Sequence, residues 1–405
     1  MGSMDAIIPY TQIGQYLSFQ NRDHFNWWQQ KGPVLSHLLE ACQYGIHEQY
    51  QYLTLFHNHL IPALGAYTEP SVGQKGNTLL SGAGRLELSR TFTASNSSLR
   101  IAFEPISFLS SDNGKDPLNR IPLPRLLSVL SELDAVSLGF DRYHILANQL
   151  TTSDDDEEKL LHDTELTKQL HSLPSRTQNI LALDLVDGFV KPELYFHPQM
   201  KALASGALVK DLLFHALHSG DTARHLQKAI DLAEKFVRAA PKTTLPQFIS
   251  YPIEKSPSGT AKLFLTESVV NWDNILGFWK YGQQEIIQAQ QTRALRVLWE
   301  SFNIVEGDRG PNQFPIMMVL CLFAEEPFVR PQVAFPVVGM TENAIAGSIG
   351  RFFDSLGWKE SSSSYLDGLR SCYPNEALDQ PLGKQAWVAL SLFDPKNPAL
   401  TIFYY

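Results

Sequence analysis

Glu87 and Ser89 in LELSRTF, Arg100, Ala102 and Glu104 in LRIAFEP, and Lys191, Glu193 and Tyr195 in VKPELYF each fall on one parity of their segment. Lys262, Phe264 and Thr266 in AKLFLTE, and Gln332 and Ala334 in PQVAFP, do the same. The opposite parity is apolar, as at Leu86, Leu88, Ile101, Phe103, Leu263 and Leu265. Alternation of this kind puts the first set on one face of a strand and the second on the other. Carboxylates, a guanidinium, ammonium groups and a phenol sharing one face in several segments are costly as packed core, and read as the lining of a water- or ligand-filled chamber. Carboxylates can move protons, and aromatic faces can stabilise a cation.

Other candidate groups carry less. Asp154, Asp155 and Glu158 satisfy DDxxE, a spacing that can hold Mg²⁺. They lie in the run TTSDDDEE, which reads as a solvated acidic loop. His57 with His59, and His215 with His218, lack a third ligand at a recognisable spacing, so no metal site is expected.

These residues need elements to hold them. Five strand pairs alternate with helix pairs: 86–92 with 99–106, 180–186 with 190–196, PQFISYPI with AKLFLTES, PIMMVLCLFA with PQVAFPVV, and 387–393 with 399–405. Helical patterns are expected at 34–60, 122–133, 140–150, 206–217, 222–239, 268–280, 283–303, 341–356 and 361–372. Short turns make the pairs antiparallel, and ten strands with every helix outside predict a closed barrel, of class α+β. A ten-stranded barrel leaves room on its axis. Residues 1–4, MGSM, read as a cloning scar, and 5–405 as one barrel domain.

The chain has 405 residues, a net charge of -9, and 7 Trp, 14 Tyr and 23 Phe. The acidic balance excludes a nucleic-acid-binding surface as its purpose. Cys42, Cys321 and Cys372 form no CxxC pair, which suits reduced thiols in the cytoplasm. The apolar run Ile316–Ala324 is too short to cross a membrane.

The segments WWQQKGPVLSHLLEACQY, LELS, LRIAFEPI, KDPLN, RTQNILALDLVDG, VVGM and RFFDSLGW, in this order, resemble the fungal dimethylallyltryptophan synthase family of aromatic prenyltransferases. The resemblance implies the ABBA barrel, five αββα units around a chamber, and alkaloid secondary metabolism. It also implies a metal-independent reaction without cofactor, in which an allylic diphosphate ionises and the carbocation alkylates an aromatic acceptor. A homodimer is allowed. By position, Glu87 matches the glutamate that holds the indole N–H, Arg100 and Lys262 match diphosphate-binding cations, Tyr195 matches a member of the tyrosine shield, and Gln332 matches a polar residue near the diphosphate.

Several positions depart from that pattern. Glu193 stands where the family has lysine, with Lys191 one inward step earlier, and Thr260 stands where arginine is expected. Phe264, Ala334 and Phe403 replace shield tyrosines, Ile180 replaces the lysine base, and Gln247 replaces the arginine that would hold a tryptophan carboxylate. Free tryptophan is therefore not the expected acceptor. Two readings follow. One is a transferase with a rearranged diphosphate pocket, in which Lys191 or Lys396 swings in and Ala334 widens the chamber. The other is a barrel that no longer binds diphosphate and uses Glu87 and Glu193 as acid or base to cyclise or rearrange a prenylated, polycyclic alkaloid.

Overall fold

The structure, a computed structural model, describes residues 8–67, 85–106, 115–173, 176–221, 224–255, 259–281, 289–310, 313–324, 326, 328–394 and 397–405. Ten strands form one closed antiparallel barrel: β1 (Leu86–Phe92), β2 (Ser97–Phe103), β3 (Asn179–Val186), β4 (Phe189–Phe196), β5 (Thr244–Pro252), β6 (Thr260–Glu267), β7 (Ile316–Phe323), β8 (Val329–Pro336), β9 (Gln385–Asp394) and β10 (Asn397–Tyr404). Each strand pairs with its neighbour in sequence, and β10 pairs back with β1. Closure leaves the barrel without a sheet edge. The β3–β4 turn is Asp187–Gly188, with φ of 51° and 78°, the left-handed pair that a two-residue hairpin requires.

Helices surround the barrel: α1 (Ile8–Gly14), α2 (Arg22–Ala41), α3 (Ile46–Leu55), α4 (Pro122–Leu130), α5 (Asp141–Leu150), α6 (Asp154–His162) and α7 (Thr164–Ser172) precede β3. α8 (Gln199–Ser205), α9 (Val209–Gly220) and α10 (Gln227–Ala239) lie between β4 and β5, α11 (Trp272–Lys280) and α12 (Ala289–Ser301) between β6 and β7, and α13 (Glu342–Leu356) and α14 (Lys359–Cys372) before β9. The expected apolar parity faces them. Leu86, Leu88, Ile101, Phe103, Leu263 and Leu265 join one large core with Trp27, Trp28, Phe56 and Phe353 from the helices. The layer is stitched by polar contacts: Tyr44 hydroxyl donates to the Leu185 carbonyl at 2.6 Å, and Tyr52 to that of Phe189 at 3.1 Å.

Two expectations are corrected. The acidic run at 154–158 is the first turns of α6, not a loop. Ser153 and Asp156 form a reciprocal capping box, carboxylates suit a helix N-terminus, and Arg120 and Lys201 neutralise Asp154, Glu157 and Asp156. α2 starts at Arg22 rather than Val34, because Asn21 caps it and the buried Trp27 and Trp28 carry the helix through Gly32 and Pro33. The helix expected at 361–372 begins two residues earlier, at Lys359, and Ser363 and Ser364 return their hydroxyls to the Glu360 carbonyl inside it. Among the described residues, no helix is long and apolar enough to cross a membrane.

Candidate active site

The barrel encloses a chamber of about 490 Å³. Glu87, Arg100, Ala102, Lys191, Tyr195, Lys262, Phe264, Gln332, Ala334 and Phe403 all line it, as the alternation and the resemblance had placed them. Glu193, Glu104, Thr260 and Thr266 are not on its wall. Glu193 has the right parity but is covered by its neighbours. Thr260 opens β6 opposite Phe323, one inward step beyond Lys262, and Thr266 turns its hydroxyl to Gln247 at 2.8 Å. Lys396 lies outside the described residues.

Strand register sorts the lining into rungs. Glu87, Ala102, Ala182 and Glu193 lie opposite one another in turn across β1 to β4, and Ser89, Arg100, Asp184 and Lys191 form the next rung. Alanine at the two middle positions of the first rung leaves space above them. On the second, Arg100 grips Asp184 with both carboxylate oxygens, at 2.6 and 2.7 Å, and donates to the Tyr195 hydroxyl at 2.7 Å. Its Nη2 also lies 2.6 Å from Glu193 Oε2. Glu193 further accepts from Lys262 at 2.9 and 3.0 Å and from the Ser250 hydroxyl at 2.5 Å.

The electrostatics follow from those contacts. Burial opposes the charge of Glu193, but Lys262, Arg100 and Ser250 outweigh it and hold the carboxyl down to about 2. A carboxylate so held is not a general acid near neutrality. Glu193, expected to act as acid or base, is instead paired with Arg100 and Lys262 and lies off the chamber wall. Burial also opposes the charges of Arg100 and Lys262, yet their carboxylate partners raise both.

Glu87 is different. It is pushed up to about 7 by burial, offset in part by the Tyr405 hydroxyl, which donates to Oε2, and by Arg100. Aromatic rings fill the wall between these groups: Phe248 stacks on Phe264 at 4.3 Å between centroids, Tyr195 lies 5.4 Å from Phe264, and Trp387, Phe403 and Tyr405 also line the chamber. A buried carboxyl titrating near neutrality, a cationic cluster and apolar aromatic faces in one cavity suit a reaction that separates charge away from water.

The profile of the tryptophan dimethylallyltransferase family matches residues 23–368. The chain belongs to this family. A prenyltransferase of Penicillium fellutanum, phqA, is 78% identical over 405 residues, all of both chains. NotF prenyltransferase, solved in complex with brevianamide F and DMSPP, is 28% identical, with a TM-score of 0.81 and coverage of 98% of both chains. The AnaPT structure from Neosartorya fischeri shares the fold, with a TM-score of 0.85 at 23% identity over 98% of this chain and 97% of its own. The chain is thus a prenyltransferase-class enzyme on the family's ten-stranded barrel.

Among the wall residues that the sequence alone does not single out are Asp184, Tyr405, Phe248 and Trp387. Asp184 was readable, since it is the polar residue on the inward parity of ILALDLV. Tyr405 follows from Phe403 by the same period of two. Phe248 was hidden by an irregular register between Pro246 and Phe248, which also turns Gln247 from the wall toward Gln199 and Thr266. Trp387 lies where β9 is bulged against β10.

Proposed function

We propose that this enzyme transfers a prenyl group from an allylic diphosphate to the indole ring of an acceptor other than free tryptophan, such as a tryptophan-containing cyclic dipeptide. The observation that carries the reading is one chamber with Glu87 and a cationic cluster of Arg100, Lys262 and Lys191, joined by aromatic faces. Its relative NotF, in the same fold, was solved in complex with brevianamide F and DMSPP, dimethylallyl thiolodiphosphate. In the reaction the allylic C–O bond breaks and its electron pair leaves with the diphosphate. Arg100, Lys262, Lys191, Tyr195 and Gln332 receive that charge, so no metal is obligatory. Phe248, Phe264 and Tyr195 face the carbocation. Glu87 accepts the indole N–H, raising the ring's nucleophilicity, and a new carbon bond forms at the indole. The ring carbon that gains the prenyl group then loses its own proton and the indole regains its aromaticity; Ile180 offers no base, so Glu87, the carboxyl on the chamber wall, is the group that takes that proton. The acceptor preference rests on Ala334, which leaves room on the wall, and on position 247, where a glutamine turned to Gln199 and Thr266 stands and no cation is offered to a free amino-acid carboxylate.

The test is product analysis with dimethylallyl diphosphate and either brevianamide F or tryptophan. Prenylation of the dipeptide well above that of tryptophan supports the reading. Equal or better turnover of tryptophan overturns the acceptor assignment, and no prenyl transfer to any indole overturns the reaction.

A further inference from the structure

The two cations that the diphosphate would meet are already engaged. Arg100 has five N–H donors; Nε and Nη2 serve Asp184 and Glu193, and Nη1 serves Tyr195, so one N–H is left over. Lys262 points two contacts at Glu193. Two carboxylates against two cations leave this corner neutral, and Lys191, exposed on the next rung, makes no ion pair among the described residues. We infer that Glu193 sets the affinity of the enzyme for its diphosphate co-substrate, acting as a resident counter-anion seated between Arg100 and Lys262. The inference rests on the transferase reading and specifies its diphosphate subsite.

The geometry explains why Glu193 rather than Asp184 has this role. Glu193 is buried, with a side chain 7% exposed, and touches both cations; Asp184 is 38% exposed and touches one. A buried charge beside an incoming polyanion is screened far less than an exposed one. Near neutrality Glu193 cannot leave by taking up a proton, because its carboxyl is held near 2. A diphosphate therefore either draws Lys262 and the remaining Arg100 N–H away from Glu193 or sits outward, on Lys191. In both cases the resident carboxylate weakens binding and favours early release of the diphosphate product.

The experiment is calorimetric titration of inorganic pyrophosphate into the wild-type enzyme, Glu193→Gln and Asp184→Asn at constant ionic strength. Glutamine retains the Ser250 contact and one acceptor for Lys262, and Asp184→Asn supplies a second, more exposed site should the first variant fold poorly. Pyrophosphate is expected to bind Glu193→Gln at least tenfold more tightly than wild type and Asp184→Asn by a smaller factor. Acceptor binding, followed by tryptophan fluorescence, should stay within twofold, because Glu193 is not on the chamber wall. Unchanged or weaker pyrophosphate binding in Glu193→Gln overturns the inference, as does an equal gain in acceptor affinity. Tightened pyrophosphate binding without prenyl transfer in any form would sustain the counter-anion and remove the transferase reading. Unchanged pyrophosphate binding with intact transfer would do the reverse.

Discussion

Replacing Tyr405 with phenylalanine keeps the ring on the chamber wall and deletes the hydroxyl that donates to Glu87 Oε2. That O–H stabilises the ionised carboxylate, so its loss favours the protonated form. A hydrogen bond to a charged group contributes about 1.5–3 kcal/mol, and 1.36 kcal/mol corresponds to one pKa unit. Glu87 is fully buried, so little solvent screening reduces this figure, and its carboxyl should move from about 7 to roughly 8–9. If the ionised form holds the indole N–H, the rising limb of the pH profile of kcat/KM for the acceptor has its midpoint near 7 in the wild type. It should shift alkaline by about one to two units in Tyr405→Phe. At pH 7 the variant then loses roughly tenfold in activity and recovers most of it near pH 9. Steady-state rates at saturating diphosphate from pH 5.5 to 9.5 measure this directly. A midpoint that stays put or moves acidic would refute the reasoning, and a loss equal at every pH would assign Tyr405 to packing instead.

Three further expectations follow. Phe264→Leu removes one face of the Phe248 stack, so water should capture more of the cation; the ratio of prenyl alcohol to prenylated acceptor rises severalfold, and an unchanged ratio would free this ring from shielding. Ala334→Tyr fills the chamber beside Met317, and should raise KM for a tricyclic acceptor far more than for a simple indole, read by competition between the two. Glu104 is buried, with Oε2 lacking a hydrogen-bond partner, and burial raises it to about 7 from an unfolded value near 4.5, despite Thr177 and Arg85. A carboxyl raised on folding stabilises the fold below its unfolded pKa, and that contribution is lost as pH climbs through the folded one. Glu104→Gln should therefore gain in Tm relative to wild type between pH 5 and 8, and a gap that narrows over this range contradicts the assignment.

Most of the barrel was legible because a period of two is a strong signal when one face packs against helices. β1 is recovered residue for residue, and Glu87, Arg100, Lys191, Tyr195 and Lys262 reach the wall by parity. Parity states which face a side chain takes, not whether a neighbour covers it, and so it could not tell that Glu193 lies under Arg100 and Lys262. It also fails where the period slips, as at Phe248 and Trp387 beside irregular pairings. The acidic run was misassigned for another reason. Its charge was weighed and its Ser153-to-Asp156 capping spacing was not, although the second decides the local structure.

The pairing of β10 with β1 joins segments far apart along the chain: Tyr405 meets Glu87 across 318 residues. At about 5–20 residues per second of translation, the first half of this contact waits roughly 15 to 65 s for the second to be made. During that interval β1 has an open hydrogen-bonding edge. Such non-local closure is slow by its nature. Nascent-chain quality control therefore meets an open sheet throughout that interval, and the carboxylate that would hold the acceptor has no hydroxyl partner until residue 405 has been made.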